Sequence, residues 1–414
     1  MAKEQYIVGL DIGTQNIRVV QAKINPEGVL NVIGASEVAG SGLRRGVIVD
    51  IEEAVSSISS ALEKVERMTG VPVSSANVSV GGNHITSQPS HGVIAVSRAD
   101  GEISEHDIVR VIDASQAISI PSNREVLHVF PKTFMLDGQA GIKDPLGMTG
   151  IRLEVETIIV TGGLPFIRNL TRCLMQAGLE IEDLVLAPCA AAEAVLSKRQ
   201  KDLGVCLLDM GAGTTSMAVY EEGDLLHTVV LPVGQMHITN DIAIGLRCSI
   251  ETAEKIKLAY GHSDPKAISH EENIDLSKID SVETEVVSRE YVVEIIEARL
   301  EEIFKMVNAE LKKIARDGKL PAGIVISGGG SHMPGVLEFA KKHLRLPTSL
   351  GSPQNIQTII DRVDDPAFAT AAGLVLWNSK NGGLPGSQFS GMFKKLGQNE
   401  FLGKVRKWFK SFLP

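Results

Sequence analysis

The chain is poor in cysteine and in aromatic residues, and it has no long apolar run. Among its 414 residues, 4% are aromatic and four are cysteines: Cys173, Cys189, Cys206 and Cys248. No two of them form a Cys-x-x-Cys pair, which argues against a metal site or a disulfide framework, and three lie in apolar runs typical of buried thiols. No run reaches the roughly 18 apolar residues of a membrane span. The opening MAKEQYIVGLDIG lacks a signal-peptide pattern, so we expect a body in a reducing cytoplasm.

Charge is unevenly distributed along the chain. The net charge is −9, yet from Gly391 onward six basic residues face one acidic residue, so the rest is more acidic than the total. An acidic body argues against nucleic acid as the main partner. A length of 414 residues exceeds one ordinary core, so we expect several subdomains.

Hydrophobic periodicity predicts alternating strands and helices. Strands are predicted at 6–10, 17–24, 77–80, 204–208 and 323–326, and helices at 50–69, 164–177, 241–260, 286–316, 336–344 and 367–378.

The sequence pattern changes between about residues 83 and 163, which predicts a small α+β unit inserted into the first domain. It has strand patterns at 92–97, 125–136 and 152–160, and a helix at 105–117 that Ser104 caps, with Asp107 as an acidic variant of the capping box. Glycine and proline predict a loop at 137–150, and glycine and serine predict a flexible linker at 379–398.

An internal repeat is the most informative feature. VGLDIGTQNIRVV at residues 8–20 resembles CLLDMGAGTTSMAV at 206–219: each is a strand, an aspartate, a glycine-bearing turn and a second strand. A spacing of roughly 200 residues is too long for a solenoid, so two pseudo-equivalent domains are predicted.

Such turns suit a nucleotide phosphate. Glycines let backbone N–H groups approach phosphate oxygens, and the hydroxyls of Thr14, Thr214 and Thr215 are further donors. Asp11 and Asp209 stand at strand ends, where a carboxylate can hold Mg²⁺ directly or through water. Two such hairpins facing each other would hold a triphosphate between the domains.

A third segment, VISGGGSHMPG at 325–335, places three glycines between a strand and a helix, where adenosine could lie against bare backbone. The alternative is that each glycine segment is only a turn, as most single strand–Gly–strand hairpins are. Two matching copies and the third segment favour a nucleotide site.

Together these motifs resemble the actin/Hsp70/sugar-kinase superfamily, and within it the FtsA family of bacterial cell-division proteins. The resemblance covers essentially the whole chain: the LDIGTQNIRVV opening, the inserted unit after VSVGGNHI, the APCAAAEAVL connecting helix, the LDMGAGTTSMAVYEEGDL loop and the C-terminal segment. It implies an α/β, actin-like (ribonuclease-H-like) two-domain ATPase fold with an inserted α+β subdomain and a C-terminal amphipathic helix. The implied boundaries are 1–82 with 164–202, the insert at 83–163, 203–231 with 320–378, a second small subdomain at 232–319, a linker at 379–398 and the helix at 399–414.

The resemblance also implies ATP and Mg²⁺ between the two halves. The first phosphate loop would be Gly13, Thr14, Gln15 and Asn16, and the second Gly211, Ala212, Gly213, Thr214 and Thr215, with Asp11 and Asp209 on the metal. Gly328, Gly329 and Gly330 would line the adenosine, and Glu254 and Lys257 would touch base or ribose. For that last pair, an exposed salt-bridged helix face is the equal alternative.

No residue stands out as a general base, so any activity is at most slow ATP hydrolysis. Glu193 could orient a water, or only pack on a helix. The resemblance implies an adaptor instead, whose partners are the C-terminal peptide of the tubulin-like FtsZ, further copies of itself in a filament, and later division proteins. Arg299 matches a family position in the FtsZ contact, where it could pair with an acidic peptide. Its alternative is a solvated helix arginine beside Glu297 and Glu302.

The last segment, NEFLGKVRKWFKSFLP, predicts an amphipathic helix. Within an arc of about 140°, at about 100° per residue, fall seven apolar residues: Phe401, Leu402, Val405, Trp408, Phe409, Phe412 and Leu413. Outside it fall four basic residues: Lys404, Arg406, Lys407 and Lys410. A helix of about 22 Å with four cations is too short and too charged to span a bilayer, so it would lie on an anionic membrane surface. The alternative is docking on the protein's own body or in a partner's groove.

We therefore expect a peripheral protein on the cytoplasmic face of the cell membrane, at the division site. Two other interpretations remain open: a PilM-like protein of pilus assembly, which shares the fold and the insert, and a soluble sugar or acid kinase.

Overall fold

The computed structural model describes residues 5–25, 29–281, 285–354, 356–358 and 360–379. The predicted linker beyond Ser379 and the predicted helix at 399–414 lie outside the described residues. No helix in the described ranges is long and apolar enough to cross a membrane. The first half begins with three antiparallel strands, a short hairpin, a helix and a strand: β1 Gln5–Ile12, β2 Asn16–Ile24, β3 Leu30–Ala39, β4 Leu43–Arg44, β5 Val47–Ile48, α1 Ile51–Thr69 and β6 Ser75–Val80.

An inserted unit follows β6 and has a core of its own. Its elements are β7 Thr86–Ala95, α2 Glu105–Ser115, β8 Arg124–Leu136, β9 Gln139–Ile142 and β10 Arg152–Gly163. The strands form an antiparallel sheet in the order β7-β10-β8-β9, and α2 buries Ile108, Val111 and Ile112 against it. The predicted capping box of Ser104 and Asp107 is confirmed. The predicted loop at 137–150 is wrong in part, because β9 turns back at Asp137–Gly138, both with positive φ, and pairs with β8.

The first half then closes and the second half repeats its plan. The remaining elements of the first half are α3 Leu164–Gln176, β11 Glu180–Leu186, α4 Ala187–Val195 and α5 Lys198–Leu203. The second half contains β12 Val205–Met210, β13 Thr215–Glu221, β14 Asp224–Leu231, α6 Gln235–Leu246, α7 Ile250–Tyr260, β15 Asn273–Asp275, β16 Val286–Ser288, α8 Arg289–Lys313, β17 Ile324–Ser327, α9 Val336–Leu344 and β18 Thr348–Leu350. The chain then returns to the first sheet, which β19 Gln357–Thr358 joins beside β3 and on which α10 Ala369–Ser379 packs.

Five strands of the first sheet have the same topology as the five strands of the second, which is the structural form of the sequence repeat; β19 is an additional edge strand of the first sheet, parallel to β3. In the first half β3-β2-β1 is an antiparallel meander, extended by β6 and β11 in parallel. In the second half β14-β13-β12 is the same meander, extended by β17 and β18 in parallel. The central strands β1 and β12 are continuous apolar runs because both of their faces are covered.

Two predicted helices differ from the structure between β14 and α8. The stretch 241–260 is two helices, because Arg247 adopts a left-handed φ of 54° that ends α6 and Ser249 caps α7 by accepting from the Thr252 N–H. The stretch 286–316 begins as β16, which pairs with β15, and becomes helical only at Arg289.

Helices α4 and α10 cross where the two halves join. Residues Pro188–Val195 of α4 are all buried. A Cβ added to Gly373 of α10 would lie 1.8 Å from the carbonyl oxygen of Ala190, so the two helices touch backbone to backbone. This contact fixes the spacing of the two halves and therefore the width of the cleft between them.

We expect Gly373→Ala to destabilise the protein, although alanine is the better helix former. The added methyl group meets backbone that cannot move aside, and overpacking of this kind costs about 1–3 kcal/mol, so the thermal midpoint should fall by roughly 5 °C. Gly245→Ala in α6 is the matched control, because its Cβ would meet side-chain ends, those of Ile295 and Tyr291, and not backbone. Equal midpoints for the two variants in thermal denaturation would contradict the close crossing.

Candidate functional site

The turns that follow β1 and β12 have the same hydrogen-bonded geometry. In the first, the Gly13 N–H donates to the Asn16 carbonyl at 3.1 Å, and in the second the Gly211 N–H donates to the Thr214 carbonyl at 2.9 Å. Each glycine follows an aspartate by two residues. The repeat therefore extends from sequence to backbone conformation.

The two turns face each other across a cleft. A Cβ added to Gly213 would lie 2.5 Å from the Thr14 Oγ1, so the second turn can approach the first only because Gly213 has no side chain. Between and beside them lies a cavity of about 420 Å³, a size typical of small-ligand pockets. Of the residues predicted from the sequence, its lining includes Asp11, Gly13, Thr14, Gln15, Asn16, Asp209, Gly211, Ala212, Gly213, Thr214, Glu254, Lys257, Gly328, Gly329 and Gly330.

The three consecutive glycines close the cavity from the β17 side. Gly328 has a φ of +80°, and a Cβ there would lie 2.2 Å from the Asp209 Oδ1. A Cβ on Gly330 would lie 2.6 Å from the Gln235 Nε2, whereas one on Gly329 would meet nothing within 4 Å. Two of the glycines are therefore needed for packing, and Gly329 leaves bare backbone open to a ligand.

Asp11 and Asp209 are partly buried carboxylates in the cavity lining. Burial raises the pKa of Asp11, against the charge of Arg18 and a hydrogen bond from the Ser79 hydroxyl at 2.8 Å. Burial, together with the neighbouring charge of Asp11, raises the pKa of Asp209 to about 7. A divalent cation would relieve both effects, since it favours the charged form of each group.

The donor set fits Mg²⁺ bound with a phosphate ligand. Among the described residues no cluster of three or more His, Cys, Asp or Glu side chains is arranged to hold a metal. Mg²⁺ keeps several waters and is often held by one or two carboxylates together with substrate phosphates. Asp11 and Asp209 therefore fit the ion only together with a phosphate.

Glu254 and Lys257 on α7 are salt-bridged as the alternative interpretation expected, but Lys257 is buried, so the pair does not lie on an exposed helix face. They form an i,i+3 ion pair at 2.7 Å, and both line the cavity. Lys257 also donates to the Thr239 hydroxyl at 2.8 Å, so it is a buried, anchored cation. Burial raises the pKa of Glu254, but the hydrogen bonds from Lys257 and Thr239 together lower it by more, so the pKa lies below its ordinary value.

Thr215 is the one predicted phosphate-loop residue that does not line the cavity. It is the first residue of β13, fully buried and paired with Met210. Successive side chains on a strand point to opposite faces, so Ser216 lines the cavity where Thr215 does not. The alternation could have been read from the sequence once β13 was placed.

Several lining residues were missed. Arg18 lies two residues after Asn16, and alternate residues of a strand share a face, so its place in the lining could have been predicted from the sequence. Ser79 and Thr370 lie more than 60 residues from Asp11, and nothing local marks them. The Ser79 hydroxyl also accepts from the Ile12 N–H at 3.0 Å, so it holds the first turn as well as its carboxylate.

Glu193 is not in the cavity lining, so the water-orienting alternative is wrong. Its carboxylate is buried and accepts from the Lys201 Nζ at 2.8 Å, and Lys201 lies 4.8 Å above the Tyr220 ring. The pair joins α4 to α5 beneath the second sheet, which is a structural role.

Arg299 is already engaged within the chain. Its Nε and Nη2 donate to the two carboxylate oxygens of Asp241 on α6 at 2.6 and 2.9 Å, and its Nη1 donates to Glu302. The predicted neighbour Glu302 is present, but the bidentate partner Asp241 lies 58 residues away and could not be foreseen.

Known proteins similar to this chain show its family. The family model for cell division protein FtsA matches residues 206–373, and the model for the SHS2 domain inserted in FtsA matches 82–161. Cell division protein FtsA of Bacillus subtilis is 40% identical over 386 residues, which cover 93% of this chain and 86% of that protein. The chain belongs to the FtsA family. FtsA proteins of Pseudomonas aeruginosa (38% identity, covering 90% of this chain and 88% of that one) and Neisseria meningitidis (35%, covering 98% of both) agree.

Solved structures show that this chain has the actin-like ATPase fold. A chain of the PilM-PilN type IV pilus biogenesis complex superposes with a TM-score of 0.66 at 16% identity, covering 90% of this chain and 98% of that chain. MreB5 of Spiroplasma citri bound to ADP gives 0.52 at 15%, covering 91% and 97%. At such identities the likeness shows the fold alone. The predicted family and fold class are confirmed, and the PilM-like alternative shares the fold but not the family.

The raised pKa of Asp209 predicts pH-dependent stability in the absence of nucleotide and metal. Folding raises this pKa from 3.8 to about 7, so its contribution to stability is fully present below the unfolded value and is lost as pH rises through the folded value. We expect the thermal midpoint of the wild type to fall more steeply than that of Asp209→Asn between about pH 5 and about pH 8. Glu63→Gln, which changes an exposed carboxylate, should keep the wild-type slope. Parallel curves for wild type and Asp209→Asn would contradict the assignment.

Proposed function

We propose that this FtsA-family protein is an ATP-binding, actin-like cell-division adaptor that polymerises on the cytoplasmic membrane and tethers the FtsZ ring to it. The observation that carries the proposal is the pair of Asp-x-Gly turns with matching backbone hydrogen bonds that face each other across a cavity, in a chain of the FtsA family. Because residues of both halves form one site, a bound nucleotide would influence the relative orientation of the two halves.

The backbone N–H groups of both turns, with Thr14 and Thr214, would hold the phosphates. Asp11 and Asp209 would hold Mg²⁺, which when bound neutralises phosphate charge. Arg18 and Lys257 supply fixed positive charge to the same cavity. The MreB5 structures contain ADP in one case and AMPPNP in another, which supports a nucleotide in this fold.

We propose that nucleotide binding changes the state of the protein and that hydrolysis is at most slow. A fast hydrolase needs a positioned water, and the sequence candidate Glu193 is bound to Lys201 away from the cavity. The other carboxylates of the lining are committed: Asp11 and Asp209 to the metal, and Glu254 to Lys257.

The basic, amphipathic segment at 399–414 is the proposed membrane anchor. Each basic residue near an anionic surface contributes on the order of 1 kcal/mol, so a single helix binds reversibly. A filament presents many helices at once, and multivalency then strengthens attachment without any new contact. Self-association, later division proteins and a place at the division site belong to this proposal through the family.

The second small subdomain is the proposed docking surface for the FtsZ C-terminal peptide. On α6, Asp241 and the 76% exposed Ile244 lie one turn apart, and on α8 Arg299 stands two turns beyond the 46% exposed Tyr291. Exposed apolar groups beside an arginine suit a short peptide with apolar and acidic side chains. A carboxylate of the peptide would replace Asp241 as the partner of the Arg299 guanidinium.

Vesicle co-sedimentation tests the adaptor function. With vesicles of phosphatidylcholine and phosphatidylglycerol, ATP and Mg²⁺, we expect the full chain to carry FtsZ into the pellet, and a chain ending at Gln398 to leave both proteins in the supernatant. Removing the C-terminal peptide of FtsZ should leave only the adaptor in the pellet. Trp408→Ala with Phe409→Ala should match the truncation, while Ser411→Ala should match the wild type.

Each outcome bears on a different part of the proposal. Equal sedimentation of the full and truncated chains would reject the anchor. A pelleted adaptor that leaves FtsZ in solution would reject the tethering role.

A further inference from the structure

A short hairpin of the first half has an arginine where its turn favours another residue. Strands β4 and β5 are joined by Arg45 and Gly46, both with positive φ, 51° and 75°. A two-residue hairpin turn with positive φ at both positions favours Asn-Gly or Asp-Gly. Gly46 suits its position, but Arg45 occupies a conformation that costs a side-chain-bearing residue free energy.

Two other arginines have the same backbone conformation for an evident reason. Arg247 and Arg345, with φ of 54° and 55°, end α6 and α9, and their N–H groups donate to the carbonyls of Ala243 and Lys341. Left-handed residues commonly end helices in this way, and a basic side chain there is favourable near the helix C-terminus. Arg45 ends no helix, and unfavourable backbone conformations of this kind concentrate at ligand sites and switch regions.

The hairpin contacts both phosphate loops at the place where they meet. The Gly46 N–H donates to the Thr14 Oγ1 at 3.0 Å, which leaves the hydroxyl proton of Thr14 free for an anion. On the other side, the Cα of Arg45 lies 2.9 Å from the ideal Cβ position on Gly213. Gly46 also lines the cavity itself. An element of the first half therefore reaches across to the second loop at the phosphate end of the cleft.

The guanidinium of Arg45 is exposed and, within the described ranges, makes no hydrogen bond or ion pair. Its charge acts on the second half: burial lowers the pKa of His237 on α6, a hydrogen bond with Gly234 raises it, and Arg45 lowers it again. The basic groups that line the cavity are already paired: Arg18 with Glu37 at 2.7 Å, Lys257 with Glu254 at 2.7 Å and His332 with Asp365 at 2.9 Å. Arg45 is thus an uncommitted cation next to both loops.

We propose that Arg45 is a specificity-determining residue that favours a nucleoside triphosphate over a diphosphate, by placing its guanidinium against the last phosphate where the two loops meet. The inference rests on the proposed nucleotide site and adds a residue outside both loops. The last phosphate brings additional negative charge to this end of the cleft, so a cation here stabilises the triphosphate complex more than the diphosphate complex.

Arg45→Asn removes the positive charge without disturbing the turn, because asparagine is a favoured residue at this turn position. With Mg²⁺ present, isothermal titration of wild type and variant with ATP and with ADP gives the ratio of the two affinities. We expect ATP affinity to fall by about tenfold in Arg45→Asn with ADP affinity nearly unchanged, and Arg45→Lys to recover most of the ratio. Arg345→Asn is the matched control, an exposed arginine with a similar positive φ that ends α9, and it should keep the wild-type ratio.

The outcomes separate this inference from the proposed function. A wild type that binds neither nucleotide would overturn both. A wild type that binds both nucleotides, with an unchanged ratio in Arg45→Asn, would overturn the inference alone, as would equal losses for ATP and ADP. If Arg45→Asn fails to fold, as judged by its thermal midpoint, Arg45→Gly provides the same comparison with an unstrained turn.

Discussion

A Cβ on Gly213 would lie 2.5 Å from the hydroxyl of Thr14, and on this proximity of two backbone turns the rest of the structure depends. Each turn belongs to a different half of the chain and presents backbone N–H groups and hydroxyls to the same space. An anion held there is bound by both halves at once. The absence of side chains at Gly213 and Gly328 is what allows the loops and the β17 segment to lie so close to one another and to Asp209.

That arrangement has an electrostatic cost. Burial raises the pKa of both Asp11 and Asp209, and the charge of Asp11 raises the pKa of Asp209 further. A cation and a phosphate together would convert this unfavourable pair into ligands. The backbone contact of Gly373 with Ala190 fixes the spacing of the two halves, so the distance across the cleft does not depend on this pair of carboxylates.

Sequence reasoning reached the two halves, the insert and half of the cavity lining because their signals are local. Asp–Gly turns, the GGG segment and the apolar strands before them are each contained within about a dozen residues. It failed where long-range pairing decides: β9 formed within an expected loop because β8 was available as a partner, and residues 286–288 became a strand because β15 lies beside them. Thr215 was assigned to the loop because its neighbour Thr214 was, although strand alternation directs it into the core. Ser79, Thr370 and the Asp241 partner of Arg299 come from distant segments, so no spacing could indicate them.

The central claim is that one ligand is held by both turns at once, and hydrogen–deuterium exchange measures this directly. Peptides that cover residues 11–18 and 209–216 report on the two turns separately, with and without saturating ATP and Mg²⁺. The account predicts that amide exchange slows in both peptides together, and that ATP without Mg²⁺ protects them less. Protection confined to one turn, or absent from both at a nucleotide concentration that saturates the protein, would contradict it.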